Sequence, residues 1–426
     1  METRPPAMAE LSVFDDTPLQ AAARYRVLAT TFIKDPSPRK LFLGNREYCK
    51  DDKKPAMLPV VKKVLLRIVN DATLNHEYLP TLGLTEFNKA ATALLLGKGS
   101  IAIVEKRAES IQVPGGNSAL FIGAHFLRQW YSITCPQQTR VYISIPFWAN
   151  HASAFFEVGF EIYGYRYWNS EKLCLALPWL LEDLEKAPDF SIVLLHIVAH
   201  QPTATDPTPS EWMQIAEVMK RKRLFPFFYS AAQGLATGDV RRDAWPVRHF
   251  VNERFELFCA QSFSTNFTLY NEGVGSLTIV SRNNQTLVCI RSQMEALARN
   301  TWSNPPWFGA RIVATILNNP AFFAEWQENL KKIVERLMLT KEKLKEELRT
   351  LGTPGPWEHI TKQVGLYIFP GFTGSQLDYL MKKLHIYLSA NAQINISKVT
   401  SPNLAYVARC IDEAVVSSAK ESTHNK

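Results

Sequence analysis

Apolar positions along this chain recur with two periods, and the switches between them outline its elements. Between 59 and 72, Val60, Val61, Val64, Leu65 and Ile68 fall at helical spacing, with lysines and an arginine on the other side. A second helix is expected over 84–96, opened by Thr85-Glu86 and closed by Gly97. A third is expected over 118–131. Short apolar runs at 141–145, 192–197, 224–228, 255–260 and 275–280 read as strands, and 164–167 as a strand at a sheet edge. Helices are expected between them at 152–158 and 209–221, the latter introduced by Thr208-Pro209 with Ser210-Glu211 in its first turn. Continuous apolar strands separated by helices imply an α/β fold, its parallel or mixed sheet covered on both faces.

From 318 to 351 the character changes. Ile333, Leu337, Leu344 and Leu348 mark one face of a long helix whose other face is rich in Lys and Glu, and Gly352-Thr353-Pro354-Gly355 breaks it. Two β-like segments, 365–369 and 394–396, and helices near 375–383 and 402–418 complete a smaller α+β unit.

Composition changes this picture little. The 426 residues are 46% hydrophobic and 21% charged, too apolar for a disordered chain. The formal net charge of +8 is scattered, and Lys220-Arg221-Lys222-Arg223 closes a helical pattern, so a solvated face is expected rather than a nucleic-acid or membrane patch. Six cysteines show no metal-ligand spacing, and Pro5, Pro6, Glu10, Asp15 and Asp16 interrupt any apolar leader. Reduced thiols in a cytoplasmic protein are expected. No apolar run approaches the roughly 18 residues of a membrane span.

Several exact runs then carry more. Asn75-His76-Glu77-Tyr78-Leu79-Pro80, Thr205-Asp206-Pro207-Thr208-Pro209, Leu224-Phe225-Pro226-Phe227-Phe228 and Thr301-Trp302-Ser303-Asn304-Pro305-Pro306 resemble, in order, the aspartate aminotransferase family, and the likeness extends from about Ser12 to Ala419. Within that family it runs nearest to a divergent second cytoplasmic paralogue. The resemblance implies a fold type I pyridoxal-phosphate enzyme with a large domain over 56–330. It implies a small domain from 23–55 and 331–426, an arm at 1–22 that reaches a neighbour, and a homodimer.

It also implies where the chemistry should stand. Transamination needs a lysine to form the internal aldimine and carry a proton, and a carboxylate to hold the pyridine nitrogen protonated. Here Thr265 stands at the lysine position, in Ser262-Phe263-Ser264-Thr265-Asn266-Phe267, and no lysine occurs between Lys222 and Lys331. Tyr229 stands at the carboxylate position, Ala232 at the phenol that meets the cofactor oxygen, and Gln201 at the asparagine that shares this task. A phosphate arginine is Gly273 and the α-carboxylate arginine is Gln393. The resemblance retains Tyr78, Ser262 and the helix start at Gly116 and Asn117 for the phosphate, Trp148 for the ring, His151, and Arg299 for the substrate across the interface. Arg46 replaces a glycine at the mouth.

Other roles fit the same residues. Trp148 and Tyr78 also read as packed or interfacial aromatics, His151, His196 and His200 as satisfied core histidines, and Arg299 as an interface ion pair. No catalytic residue is expected, and pyridoxal phosphate is not expected to be held covalently, if at all. One functional reading is a pseudoenzyme acting through binding or through dimerisation with itself or an active family member. A second is a weak or atypical aminotransferase on L-aspartate and 2-oxoglutarate. A third is an anion sensor lined by Arg46, Arg299 and the Gly116-Asn117 turn.

Overall fold

The computed structural model describes residues 12, 14–19, 23–50, 54–131 and 139–424. The expected arm therefore lies mostly outside the described residues, as does Cys135.

A seven-stranded sheet forms the centre. In chain order its strands are β1 (Ala108–Val113), β2 (Arg140–Ile145), β3 (Glu161–Arg166), β4 (Ile192–His196), β5 (Phe225–Ser230), β6 (Leu257–Ser262) and β7 (Gly275–Val280), arranged β1-β7-β6-β5-β4-β2-β3. All neighbours are parallel except β7, which runs antiparallel to both β6 and β1. The strand expected at 164–167 is the end of β3 and does sit at an edge.

Every side chain of β4 is buried. Ile192 and Leu194 join one core, with Phe227 and Phe258; Val193 and Leu195 join the other, with Phe228 and Cys259. The two-residue period of an extended chain divides these residues between two covered faces. Helix α1 (Gly116–Phe126) lies so close on the first face that a Cβ on Gly123 would stand 2.6 Å from the Phe227 ring.

β1 has no counterpart in the apolar pattern, because it buries Ser110 and Gln112. Ser110 Oγ lies 2.6 Å from Thr278 Oγ1, which donates to Gln261 Oε1 at 2.8 Å, and Gln112 donates to the Pro306 carbonyl at 2.6 Å. Buried polar groups are tolerated once they are paired. Helix α2 (Asn284–Thr301) also escapes the pattern. Only Leu287, Met294 and Ala298 are buried along its 18 residues, and Asn283 caps it by accepting from the Thr286 N–H.

The helix expected at 209–221 is α3 (Pro209–Arg221), with a full capping box between Thr208 and Glu211. The basic cluster at its end is a solvated face: Lys220 pairs with Glu253, Arg221 with Glu185 and Lys222 with Asp189. The long helix is α4 (Pro320–Leu351). Asn319 caps its start, and Gly352 ends it in the left-handed conformation at φ 72°. Its buried stripe is Trp326, Leu330, Ile333, Leu337, Lys341, Leu344 and Leu348, and it packs on α5 (Leu404–His424). The two β-like segments meet as an antiparallel pair, Tyr367 against Asn395 and Ile368 against Ile394. Among the described residues no helix is long and apolar enough to cross a membrane.

Candidate functional site

A cavity of about 520 Å³ opens at the carboxyl ends of the parallel strands, where α/β sheets collect ligand-binding loops. Tyr229 comes from the end of β5 and Ser262 from the end of β6. Gly115 turns the chain at φ 97° into the first residues of α1, and no side chain caps that start. Gly115, Gly116 and Asn117 line the cavity, so it meets a helix start, where helix geometry favours an anion. Gly273, at φ 58°, stands close behind Gly115 and contributes no side chain there.

The structure brings most of the expected residues together. Gly116, Asn117, Trp148, Gln201, Tyr229, Ala232, Ser262, Thr265, Gln393 and Arg46 all line this cavity. Two do not. Tyr78 is 90% exposed on a surface loop, so within one chain it neither packs nor touches the cavity. Arg299 stands near the exposed end of α2 and pairs with Glu295 at 3.6 Å.

No lysine lines the cavity among the described residues. Lys341 is the one fully buried lysine described, and it sits behind the wall. Its Nζ donates to the carbonyls of Gln363 at 2.8 Å and Gly365 at 3.2 Å, on either side of the cavity-lining Val364. Burial pulls its pKa down to about 7, against an opposing pull from Asp206. Asp206 is pushed up to about 7 by burial, although it accepts N–H bonds from His200 and Ala199.

Gln393 is committed elsewhere. Its side-chain amide donates to the Pro202 carbonyl at 2.8 Å, and its backbone N–H to Ser389 Oγ at 2.9 Å. Arg46 is exposed at the mouth, with its guanidinium 5.2 Å over the Trp148 ring and 5.0 Å over the Tyr25 ring. That is cation–π geometry. This arrangement was not legible in the sequence, because nothing there placed Tyr25 beside Arg46.

Beneath Trp148 lie three buried histidines. His151 Nδ1 meets His196 Nε2 at 3.3 Å, and the Gln201 N–H donates to His196 Nδ1. His200 bridges Ser144 Oγ and Thr203 Oγ1, with its ring stacked 3.7 Å from Tyr167. Burial lowers all three pKa values, that of His196 to about 3, and the neighbouring imidazoles lower those of His151 and His200 further. His196 and His200 are satisfied core histidines. His151 is only half so: its Nε2 is buried and has no hydrogen-bond partner among the described residues.

The sequence profile of the aminotransferases of class I and II matches residues 38–411. This chain belongs to that family. It is 51% identical over 405 residues to the cytoplasmic aspartate aminotransferase of chicken, covering 95% of this chain and 98% of the relative. It is 42% identical over 409 residues to a human protein provisionally named as a second cytoplasmic aspartate aminotransferase, covering 96% and 95%. Among solved structures, the aromatic-amino-acid aminotransferase of Burkholderia pseudomallei, covalently bound to pyridoxal phosphate, superposes with a TM-score of 0.90 at 32% identity, covering 95% of this chain and all of that one. The fold is therefore fold type I, with a mostly parallel mixed sheet. Within this aminotransferase family the chain is aspartate-aminotransferase-like.

Proposed function

We propose that this aspartate-aminotransferase-like protein has lost lysine-dependent transamination and acts as a binding or dimerisation protein in the cytoplasm. The observation that carries the reading is Thr265: it lines the cavity at the position the resemblance gives to the aldimine lysine, and no described lysine lines the cavity with it. A threonine hydroxyl forms no Schiff base. The residues present do not fit a lysine-held pyridoxal phosphate. Tyr229, raised by burial to a pKa of about 12, is a neutral phenol where a carboxylate would be needed. Ala232 and Gly273 supply no polar side chain, and Gln393 is bound to the backbone.

The exposed Tyr78 and Arg299 support a homodimer, since the resemblance gives Arg299 a role across the interface. The proposal extends to a mixed dimer with an active family member through the same surface. An absorbance scan of the purified chain with added pyridoxal phosphate tests the reading. The expected result is no stable aldimine band, and a stoichiometric band would end it.

One observation favours a second reading, residual aminotransferase activity on L-aspartate and 2-oxoglutarate: half the sequence is shared with the chicken enzyme. An amino-group-transfer assay separates the two. Under this second reading the wild type exceeds Trp148→Ala; equal background rates remove it.

A further inference from the structure

We propose that Tyr229 is a steric gate that closes the cavity to a flat, ring-bearing phosphate, and that this closure is independent of the missing lysine. The inference rests on the reading above for where such a ring would lie.

The placement of Tyr229 is over-determined. It pairs with His196 on β4 and Ala260 on β6, so the strand register turns its side chain onto the face that α1 covers. The ring packs 4.5 Å from His151 and 5.6 Å from His196. From there it crosses to the first turn of α1. A Cβ built on Gly116 would stand 3.2 Å from the Tyr229 hydroxyl, 3.3 Å from its Cε2 and 2.9 Å from Ser262 Cβ. All three are shorter than carbon contact, which is about 3.5–4.0 Å, so the phenol reaches the first turn of α1 so closely that no side chain fits at 116, and it spans the floor between β5 and the anion-favouring helix start. A carboxylate at this position is shorter by the whole ring and would leave that floor open.

Two further observations agree. His151 Nε2 is buried without a partner beside Tyr229, so the phenol fills space without satisfying the imidazole that touches it. Trp148, the ring to which the resemblance assigns stacking, is already covered by Arg46 at 5.2 Å and contacted by His151 at 5.1 Å.

Pyridoxamine 5′-phosphate is the suitable probe, because it carries an amine instead of an aldehyde and forms no Schiff base; Tyr229→Leu, which offers its ring nitrogen no carboxylate, reads space, and Tyr229→Asp reads space and charge together. Equilibrium dialysis with the full chain compares wild type, Tyr229→Phe, Tyr229→Leu and Tyr229→Asp. Leucine keeps an apolar contact with the histidines while clearing the α1 end, and aspartate clears it and gives His151 an acceptor. Relief of an overpacked contact is expected to tighten binding by about ten- to a hundredfold in Tyr229→Leu or Tyr229→Asp, whichever is folded by circular dichroism. Tyr229→Phe stays closed. In parallel, Thr265→Lys alone is expected to form no aldimine band with pyridoxal phosphate, whereas Thr265→Lys combined with Tyr229→Leu or Tyr229→Asp forms one.

Wild type binding the probe as tightly as the opened variants overturns the gate, as does no gain in either opened variant, or a gain in Tyr229→Asp with none in folded Tyr229→Leu. An aldimine band in Thr265→Lys alone also overturns it while leaving the lost-lysine reading intact. A band in the wild type instead overturns the lost-lysine reading.

Discussion

Replacing Asp243 by alanine should cost this protein about 3–4 kcal/mol, and the figure follows from counting donors. Asp243 is wholly buried. Its Oδ2 accepts from the Gly234 N–H at 2.7 Å and the Ala236 N–H at 3.2 Å, and its Oδ1 from the Thr237 N–H at 3.2 Å and hydroxyl at 2.6 Å. One carboxylate thus ties down the loop that follows β5, including the cavity-lining Ala231 and Ala232. Alanine strands three backbone N–H groups, each worth about 1–3 kcal/mol when left unsatisfied. A water entering the vacated space recovers one or two of them. The cost of burying the carboxylate, which holds its pKa above the ordinary value, is removed as well. Asparagine keeps one acceptor and should lose about half as much. Urea unfolding at about pH 8, where ordinary carboxylates are ionised, measures both variants at one fixed protein concentration. Limited proteolysis should show new cleavage within 231–238. A loss below about 1 kcal/mol for the alanine variant, with no new cleavage, would refute the account.

The buried histidines set an acid limb. Their folded pKa values lie below 6.5, so below that pH the unfolded chain binds more protons and stability falls as the pH is lowered; for His196 the fall continues down to about 3. Each contributes up to about 1.4 kcal/mol per pH unit, and urea midpoints measured between about pH 6.5 and 5 should show a slope shallower by one such step in His200→Gln. Arg46→Gly should change tryptophan emission with a stability loss of at most about 1 kcal/mol, because an exposed cation over a ring is worth little more. That emission change should vanish in a Trp148→Phe background.

The sequence made the central strands and the capped helices legible because burial there follows local pattern. Ile192 through Leu195 alternate between two apolar cores, and Thr208 with Glu211 announces the start of α3. β1 was hidden because Ser110 and Gln112 are paired by residues more than a hundred positions away. α2 was hidden because one apolar residue per turn or fewer reaches its core. At the site, the resemblance put Thr265 and Tyr229 where it expects a lysine and a carboxylate, and both line the cavity. The contacts of Arg46 with Tyr25 and Trp148, the capture of Gln393 by Pro202 and the orphaned nitrogen of His151 were not legible, because each depends on where the chain brings distant segments together.

Lys341 carries a consequence for motion. Its ammonium is anchored on α4 and holds the carbonyls on either side of Val364, while the Val364 N–H donates to the Ala204 carbonyl at 2.8 Å. That cavity wall therefore cannot swing outward alone without breaking bonds to both the long helix and the loop after β4. In hydrogen-exchange terms, the Val364 amide and the Lys341 turn of α4 should share one opening free energy, as members of a single cooperative unit. Lys341→Met should release the amide first, and exchange there would quicken while the rest of the helix stayed protected.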